Sequence, residues 1–262
     1  MSDPTDLLRQ PITVVGPGRA GTTVYRRLLE RGLDAVLTRD GSTARAGIVL
    51  LAVPDRENAR VARDLPAETW VGTLSGATPI AALGPRDRAF VVHPMQALVK
   101  ERGAAQLDGV PASVTGAAPE ALAVAVALAE ALGLVPVPVA EEARPLPHLA
   151  CVFASNYLVA PLHAAVRLLA LSGFDVEDAP RLLGLLAHTT VDNVLAAPLE
   201  PPLTGPIARG DATTVGRHLE VLTEAAPELA EVYRLLGRAT LSLVPADVAD
   251  ATASVLGDPA RI

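Results

Sequence analysis

Through the first half of the chain, short runs of consecutive apolar residues alternate with stretches whose apolar positions recur three and four apart. A continuous apolar run of four to eight residues, bounded by turn residues, reads as a strand buried on both faces. The three-four spacing reads as a helix with one buried stripe. This pattern predicts strands at Ile12 to Val15, Asp34 to Thr38, Ile48 to Val53, Thr69 to Leu74, Ala89 to Val92, Val110 to Thr115 and Val135 to Val139. It predicts helices at Ala20 to Arg31, about Arg56 to Asp64, and Pro119 to Leu132. Strands alternating with helices imply a doubly wound, mostly parallel sheet. Only about seven residues, Asp40 to Ala46, separate the second strand from the third. A parallel crossover ordinarily needs a dozen or more, so the helix-strand-helix insert usual at this point is read as missing or vestigial. The second strand then becomes the sheet edge.

Beyond Ala140 the pattern becomes helical. Pro145 and Pro147 are read as a linker, followed by helices at about His148 to Ser172, Val176 to Ala197, Asp211 to Ala225 and Pro227 to Leu243. Pro198 to Gly210 is a Pro/Gly-rich loop. The fold class expected is α/β, with a sheet domain over residues 1–140 and an all-α domain over 141–262.

The densest chemistry lies where the first strand meets the first helix. Ile12 to Val15 run into Gly16-Pro17-Gly18-Arg19-Ala20-Gly21, and Val24, Leu28 and Leu29 then carry a helical stripe. In such a unit the first glycine makes the tight turn and the second lets a pyrophosphate approach the backbone. The third lets helix and strand pack closely, while the free N–H groups of the helix start bind the anion. The strand-first, helix-after context makes this a dinucleotide-binding signature. An acid at the end of the second strand would accept the ribose hydroxyls of NAD. That position holds Thr38-Arg39-Asp40, and a guanidinium suits a 2′-phosphate. NADP is therefore expected, with NAD as the alternative, over an open adenosine pocket beside the edge strand.

Composition narrows the classes. Half of the 262 residues are hydrophobic, enough for a sizeable core, but no unbroken apolar run reaches about 18 residues, and no membrane span is read. The N-terminal stretch is acidic and lacks the basic-then-apolar order of a secretory signal, so a cytoplasmic protein is expected. A net charge of −7 argues against a nucleic-acid partner. Cys151 is the single cysteine and is read as a core residue; no metal site is expected. Lys100 is the only lysine, so no other residue can serve as a catalytic lysine.

Three segments follow predicted strand ends, the edge where open α/β sheets bind ligands. They are Ala52-Val53-Pro54-Asp55, Leu74-Ser75-Gly76-Ala77 and His93-Pro94-Met95-Gln96. Val53, Pro54 and Asp55 are assigned to the cofactor, and Ser75 and His93 to the nicotinamide pocket. On the first helix of the second half, His148, Val152, Ser155 and Asn156 fall on one face at about 100° per residue. The block Thr204 to Thr214 places Arg209 just before an N-cap, Asp211, with Thr214 three residues on. Arg209 and Thr204 are the candidates for a substrate carboxylate. His163, His188 and His218 are read as surface or interface residues.

Together these stretches resemble a bacterial family of Rossmann-like proteins that carry a C-terminal domain of unknown function. The carrying residues are Gly16 to Gly21, Ser75-Gly76-Ala77, His93-Pro94, Phe153 to Leu158, Leu203 to Pro206, Arg209-Gly210-Asp211, Thr214-Val215 and His218-Leu219. That family is similar in architecture to ketopantoate reductase, pyrroline-5-carboxylate reductase, prephenate dehydrogenase and the 6-phosphogluconate dehydrogenase group. Such relatives use a nicotinamide coenzyme, several dimerise through the helical domain, and related folds also bind a deazaflavin. Ser75 with His93-Pro94-Met95 looks like the serine and His-Pro-Met pair of prephenate dehydrogenases. One departure matters. Where ketopantoate and 6-phosphogluconate enzymes place a catalytic lysine four residues before an asparagine, this chain has Val152. The resemblance implies an NADP-dependent reductase of a small 2-keto acid or cyclic imine, and a homodimer; His148, one turn before Val152 on the same helix face, is read as the substitute proton donor. A non-catalytic dinucleotide-binding regulator is the alternative.

Overall fold

The computed structural model describes residues 4–44, 47–197 and 203–257. The end of the short second connection and the first part of the Pro198 to Gly210 loop lie outside the described residues. Contacts divide the chain into two compact units, Met1–Leu158 and Val159–Ile262.

The first unit is a seven-stranded sheet in the order β2-β1-β3-β4-β5-β6-β7. Its strands are β1 (Ile12–Val15), β2 (Ala35–Thr38), β3 (Ile48–Leu51), β4 (Trp70–Thr73), β5 (Ala89–Pro94), β6 (Pro111–Gly116) and β7 (Val135–Pro138). β1 to β5 are mutually parallel. β6 runs antiparallel to β5 and parallel to β7. As expected, β2 is an edge strand, and the described residues between β2 and β3 hold only a single 3-10 turn, Gly41–Thr43. Its helices are α1 (Pro4–Leu7), α2 (Arg19–Glu30), α3 (Asp55–Arg63), α4 (Pro119–Ala131) and α5 (Pro145–Cys151).

Alternate residues of each strand feed opposite faces, because successive strand side chains point to opposite sides. Ile12, Val14, Ile48 and Leu50 join a core with Val24 and Leu28 of α2 and Val124 and Leu128 of α4. Val15, Val49 and Leu51 join a second core with Val61 and Ala62 of α3. Each fully buried side chain of this kind contributes roughly 1.5–3 kcal/mol. The sheet is therefore covered on both faces, and its carboxyl edge is left for ligands.

Sequence reading differs from the structure at several helices. Pro145 is not a linker residue: it starts α5, where a missing N–H costs nothing. The helix expected over His148 to Ser172 is interrupted by a π-helical turn, Val152–Asn156, closed by Tyr157 N–H donating to the Val152 carbonyl at 2.9 Å. α6 (Val159–Leu171) resumes beyond it, and α7 (Ala179–Ala196), α8 (Ala212–Ala225) and α9 (Pro227–Thr240) follow. The short α1 and a last helix, α10 (Ala246–Leu256), were not foreseen. Asp211 does cap α8, its carboxylate accepting from Thr214 N–H at 3.0 Å and Thr214 Oγ1 at 2.7 Å.

The second unit has small cores, Val215, Leu219 and Leu256 in one and Leu222, Ala226 and Ala230 in the other. α6 buries no residue and α7 only Ala179. Among the described residues, one helical stretch, Glu141–Leu171, is long and apolar enough to cross a membrane by length and composition, a length the apolar runs of the sequence did not reveal. It begins with two glutamates, and Arg144 within it is tied to the sheet unit, as described below.

Candidate active site

The site begins at the turn between β1 and α2. Gly16 has φ +113°, a conformation that L side chains rarely adopt, and a Cβ there would lie 2.5 Å from the Ala52 carbonyl oxygen. A Cβ on Gly21 would lie 1.9 Å from the Gly16 carbonyl oxygen, so α2 reaches this close to β1 only because none is present. At Gly18 a Cβ would meet nothing within 4 Å. The backbone there faces open space, flanked by exposed Pro17 and Arg19 and half-buried Ala20. No side chain caps α2, which leaves its first N–H groups for an anion. Tight turn, open approach and uncapped helix start are the features a pyrophosphate requires, and the residues present fit it.

β1 has β2 on one side and β3 on the other, so the chain reverses its winding direction beside this turn. Ligands of open α/β sheets bind in the crevice that such a reversal leaves. Half-buried Val53 and exposed Pro54 and Asp55, after β3, follow on the same edge. At the end of β2, Thr38 Oγ1 donates to the Asp40 carbonyl at 2.6 Å. Exposed Asp40 is bonded by Ser42, whose hydroxyl and N–H donate to its carboxylate and hold its pKa below the ordinary range. Arg39 is exposed. The acid of this turn is thereby engaged locally while the guanidinium stands in solvent.

Beyond the ends of β4 and β5 lies the second part of the site. Ser75 Oγ accepts from Ala77 N–H at 3.2 Å and Thr78 N–H at 2.9 Å. With both lone pairs occupied, its hydroxyl proton is what it has left to offer. Buried Asn58 fixes this turn from α3, bonding Thr78 Oγ1 at 2.9 Å and accepting from Thr73 Oγ1 at 3.0 Å. His93, near the end of β5, meets His148 of α5 edge to face with ring centroids 5.5 Å apart. The Nδ1 atoms of both rings are sealed from solvent without a hydrogen-bond partner among the described residues. Burial, then the neighbouring His148 and Arg144, push the His93 pKa from 6.5 down to about 4, against a weaker pull from Asp55.

Sequence reasoning missed Arg144. It is 4% exposed, and its Nη2 donates to the Ser75 carbonyl at 3.1 Å and the Gly76 carbonyl at 3.4 Å. Its Nη1 donates to Glu141 at 2.9 Å, and Glu141 in turn accepts from Ile80 N–H at 2.8 Å. The partners lie more than sixty residues away, beyond the reach of any local pattern. The one legible sign was the three-residue spacing of Glu141 and Arg144, which suits an ion pair on a helical turn.

Ser155 is half-buried and Asn156 exposed, both within the π turn. A count of 100° per residue therefore does not extend from His148 to either. Arg209 ends a 3-10 turn of the second unit, Ile207–Arg209, and is exposed, as is Thr204. Cys151 is half-buried, and burial raises its thiol pKa. Among the described residues no three His, Cys, Asp or Glu side chains cluster as a metal would require.

The model of the domain of unknown function DUF2520 matches residues 110–240, from β6 to the end of α9. The chain belongs to the DUF2520 family. Among solved structures, a Bacteroides fragilis protein provisionally assigned as an NADP oxidoreductase is 21% identical, with a TM-score of 0.75 over 89% of this chain and 98% of that one. A Thermotoga maritima protein is 22% identical, with a TM-score of 0.68 over 92% and 99%. Pyrroline carboxylate reductase of Plasmodium falciparum, solved with NADP bound, is 12% identical, with a TM-score of 0.57 over 95% and 99%. At these identities the likeness is one of fold: a Rossmann-like sheet followed by a helical region. No curated protein matches the sequence of this DUF2520 member.

Proposed function

We propose that this DUF2520 protein is an NADP-dependent oxidoreductase that reduces a small carboxylated carbonyl or imine, a 2-keto acid or a cyclic imine, in the cytoplasm. The observation that carries the reading is the presence, on one carboxyl edge of one mostly parallel sheet, of an anion-ready glycine turn and a buried imidazole pair. β1 and β5 stand three strands apart, roughly 14 Å at the usual spacing. The fold shared with an NADP-bound reductase supports the same assignment.

Gly16, Gly18 and Gly21, with the first N–H groups of α2, would hold the pyrophosphate. Val53, Pro54 and Asp55 would border it, and Thr38 and Arg39 would meet the adenosine ribose and its 2′-phosphate. When bound, the nicotinamide supplies a hydride. The charge developing on the substrate oxygen or nitrogen then needs a proton, which an imidazole can carry near neutral pH. His148 donates it, Ser75 offers its hydroxyl proton as a hydrogen bond, and Ser155 and Asn156 orient the reacting group. Arg209 and Thr204 are proposed to bind the substrate carboxylate. Val152 at the usual lysine position favours a second reading, a regulator that binds NADP(H) without turnover.

Purified protein screened for NADPH consumption against keto acids and cyclic imines is expected to show saturable turnover, with NADPH binding more tightly than NADH. His148→Gln should then lower kcat about 10²–10⁴-fold with the NADPH Kd unchanged. Tight NADPH binding without turnover would select the regulator. Failure to bind either coenzyme would refute both readings.

A further inference from the structure

His93, His148 and Arg144 come from three separate stretches of chain and converge on one glycine. A Cβ at Gly76 would lie 2.6 Å from His148 Nδ1, 2.8 Å from His93 Cε1 and 2.9 Å from His93 Nε2. The turn after β4 is thus wedged between the two rings, and only a hydrogen at position 76 leaves them this close. Arg144 grips the carbonyls on either side of the wedge, those of Ser75 and Gly76, from a position four residues before His148. The Glu141 carboxylate closes the clamp by bonding both Arg144 and Ile80 N–H.

We propose that Arg144 is a positioning residue for a histidine pair: by holding the Ser75-Gly76 turn between His93 and His148, it makes the two rings one unit that admits no more than one added proton. The inference deepens the reductase reading and rests on it for its catalytic meaning. An imidazolium has an N–H at each nitrogen. Among the described residues the Nδ1 atoms of both rings are sealed with no acceptor, so a proton added at either would leave an unmet buried donor, which is costly. Two imidazolium rings with centroids 5.5 Å apart, beside a buried guanidinium, would also repel one another. The charged or titratable groups facing His93 are His148, Arg144 and, from the start of α3, Asp55. The first two oppose its protonation and Asp55 favours it. His93 is therefore the member held neutral.

The test is a pH titration of the ring nitrogens by NMR, on full-length 15N-labelled protein without coenzyme or substrate. The five histidines are assigned by single substitutions. His93 is expected to stay neutral down to about pH 4. In His148→Gln and in Arg144→Met its titration should move up by at least half a pH unit, and Arg144→Lys should restore part of the difference. Should Arg144→Met fail to fold, Gly76→Ala is the substitute. Its methyl group forces the rings apart and should also raise the His93 midpoint. A wild-type His93 that titrates near 6.5, or midpoints unmoved in both His148→Gln and Gly76→Ala, would overturn the pair. A midpoint unmoved in a folded Arg144→Met would overturn the role of Arg144. Since the titration requires no turnover, it can succeed where the reductase assay fails, and the reverse.

Discussion

At His93, burial and charge act in the same direction, and the consequence reaches past chemistry to stability. The folded ring has its pKa pushed down to about 4, whereas the unfolded ring titrates near 6.5. Between those values the unfolded chain binds a proton that the folded chain refuses. Stability is therefore fully present above about 6.5 and is lost as pH falls toward 4. The arithmetic gives a loss of roughly 2 kcal/mol between pH 7 and pH 5 from this one group. Urea unfolding at the two pH values should show that loss in the native protein and a smaller one in His93→Gln. Equal losses in both would mean that other groups set the acid sensitivity. The sequence located His93 at a strand end but not its neighbour. His148 lies fifty-five residues further on, and only the fold brings the rings into contact.

The element that carries most of the functional reading is the strand-turn-helix of β1 and α2, and its glycines divide the labour. A Cβ on Gly21 would sit 1.9 Å from a backbone oxygen, with no flexible side-chain end to give way. Overpacking of this kind typically costs about 1–3 kcal/mol. Gly21→Ala should therefore lower Tm by several degrees as well as impair coenzyme binding. Gly18 has φ −73°, which alanine adopts readily, and a Cβ there meets nothing within 4 Å. Gly18→Ala should keep the native Tm and still weaken NADPH binding, because the methyl occupies the approach to the backbone. Calorimetry on both variants, followed by coenzyme titration, checks the contrast. Equal NADPH Kd values for Gly18→Ala and the native protein would remove the pyrophosphate from this turn. The turn was legible in sequence because its requirements are local: a strand, three spaced glycines and a helix start. The π turn at Val152–Asn156 was not, since nothing in its composition departs from an ordinary apolar helix.

At the scale of the whole molecule, the second unit carries more apolar surface than its own cores absorb. Leu185 is 77% exposed and Leu195 71%, both on α7, and α6 beside it buries nothing. Exposed apolar surface on this scale marks an interaction face. The proposed occupant is a second copy of the chain, in a homodimer built through these helices. Light scattering at micromolar protein should give twice the 27.0 kDa chain mass. Leu185→Glu together with Leu195→Glu should shift the mass toward one chain with the helical circular-dichroism signal retained. A single-chain mass for the native protein would refute the dimer, and co-sedimentation with lipid vesicles would assign the Glu141–Leu171 stretch to a membrane instead.

The sequence alone determined the alternation of strands and helices, the edge position of β2, the glycine turn between β1 and α2 and the cap of α8. Each depends on apolar period, turn residues or capping within about a dozen positions, and local physics writes such features into contiguous residues. Tertiary structure decided the rest. It reversed β6, because a β5–β6 connection without an α-helix does not return the chain to the starting edge as a helical crossover does. It made Pro145 the first residue of a helix rather than a linker. It also joined Ser75, Gly76, His93, Arg144 and His148 into one cluster. Long-range contacts of that kind depend on which strand ends become neighbours, and strand order is a property of the folded sheet as a whole.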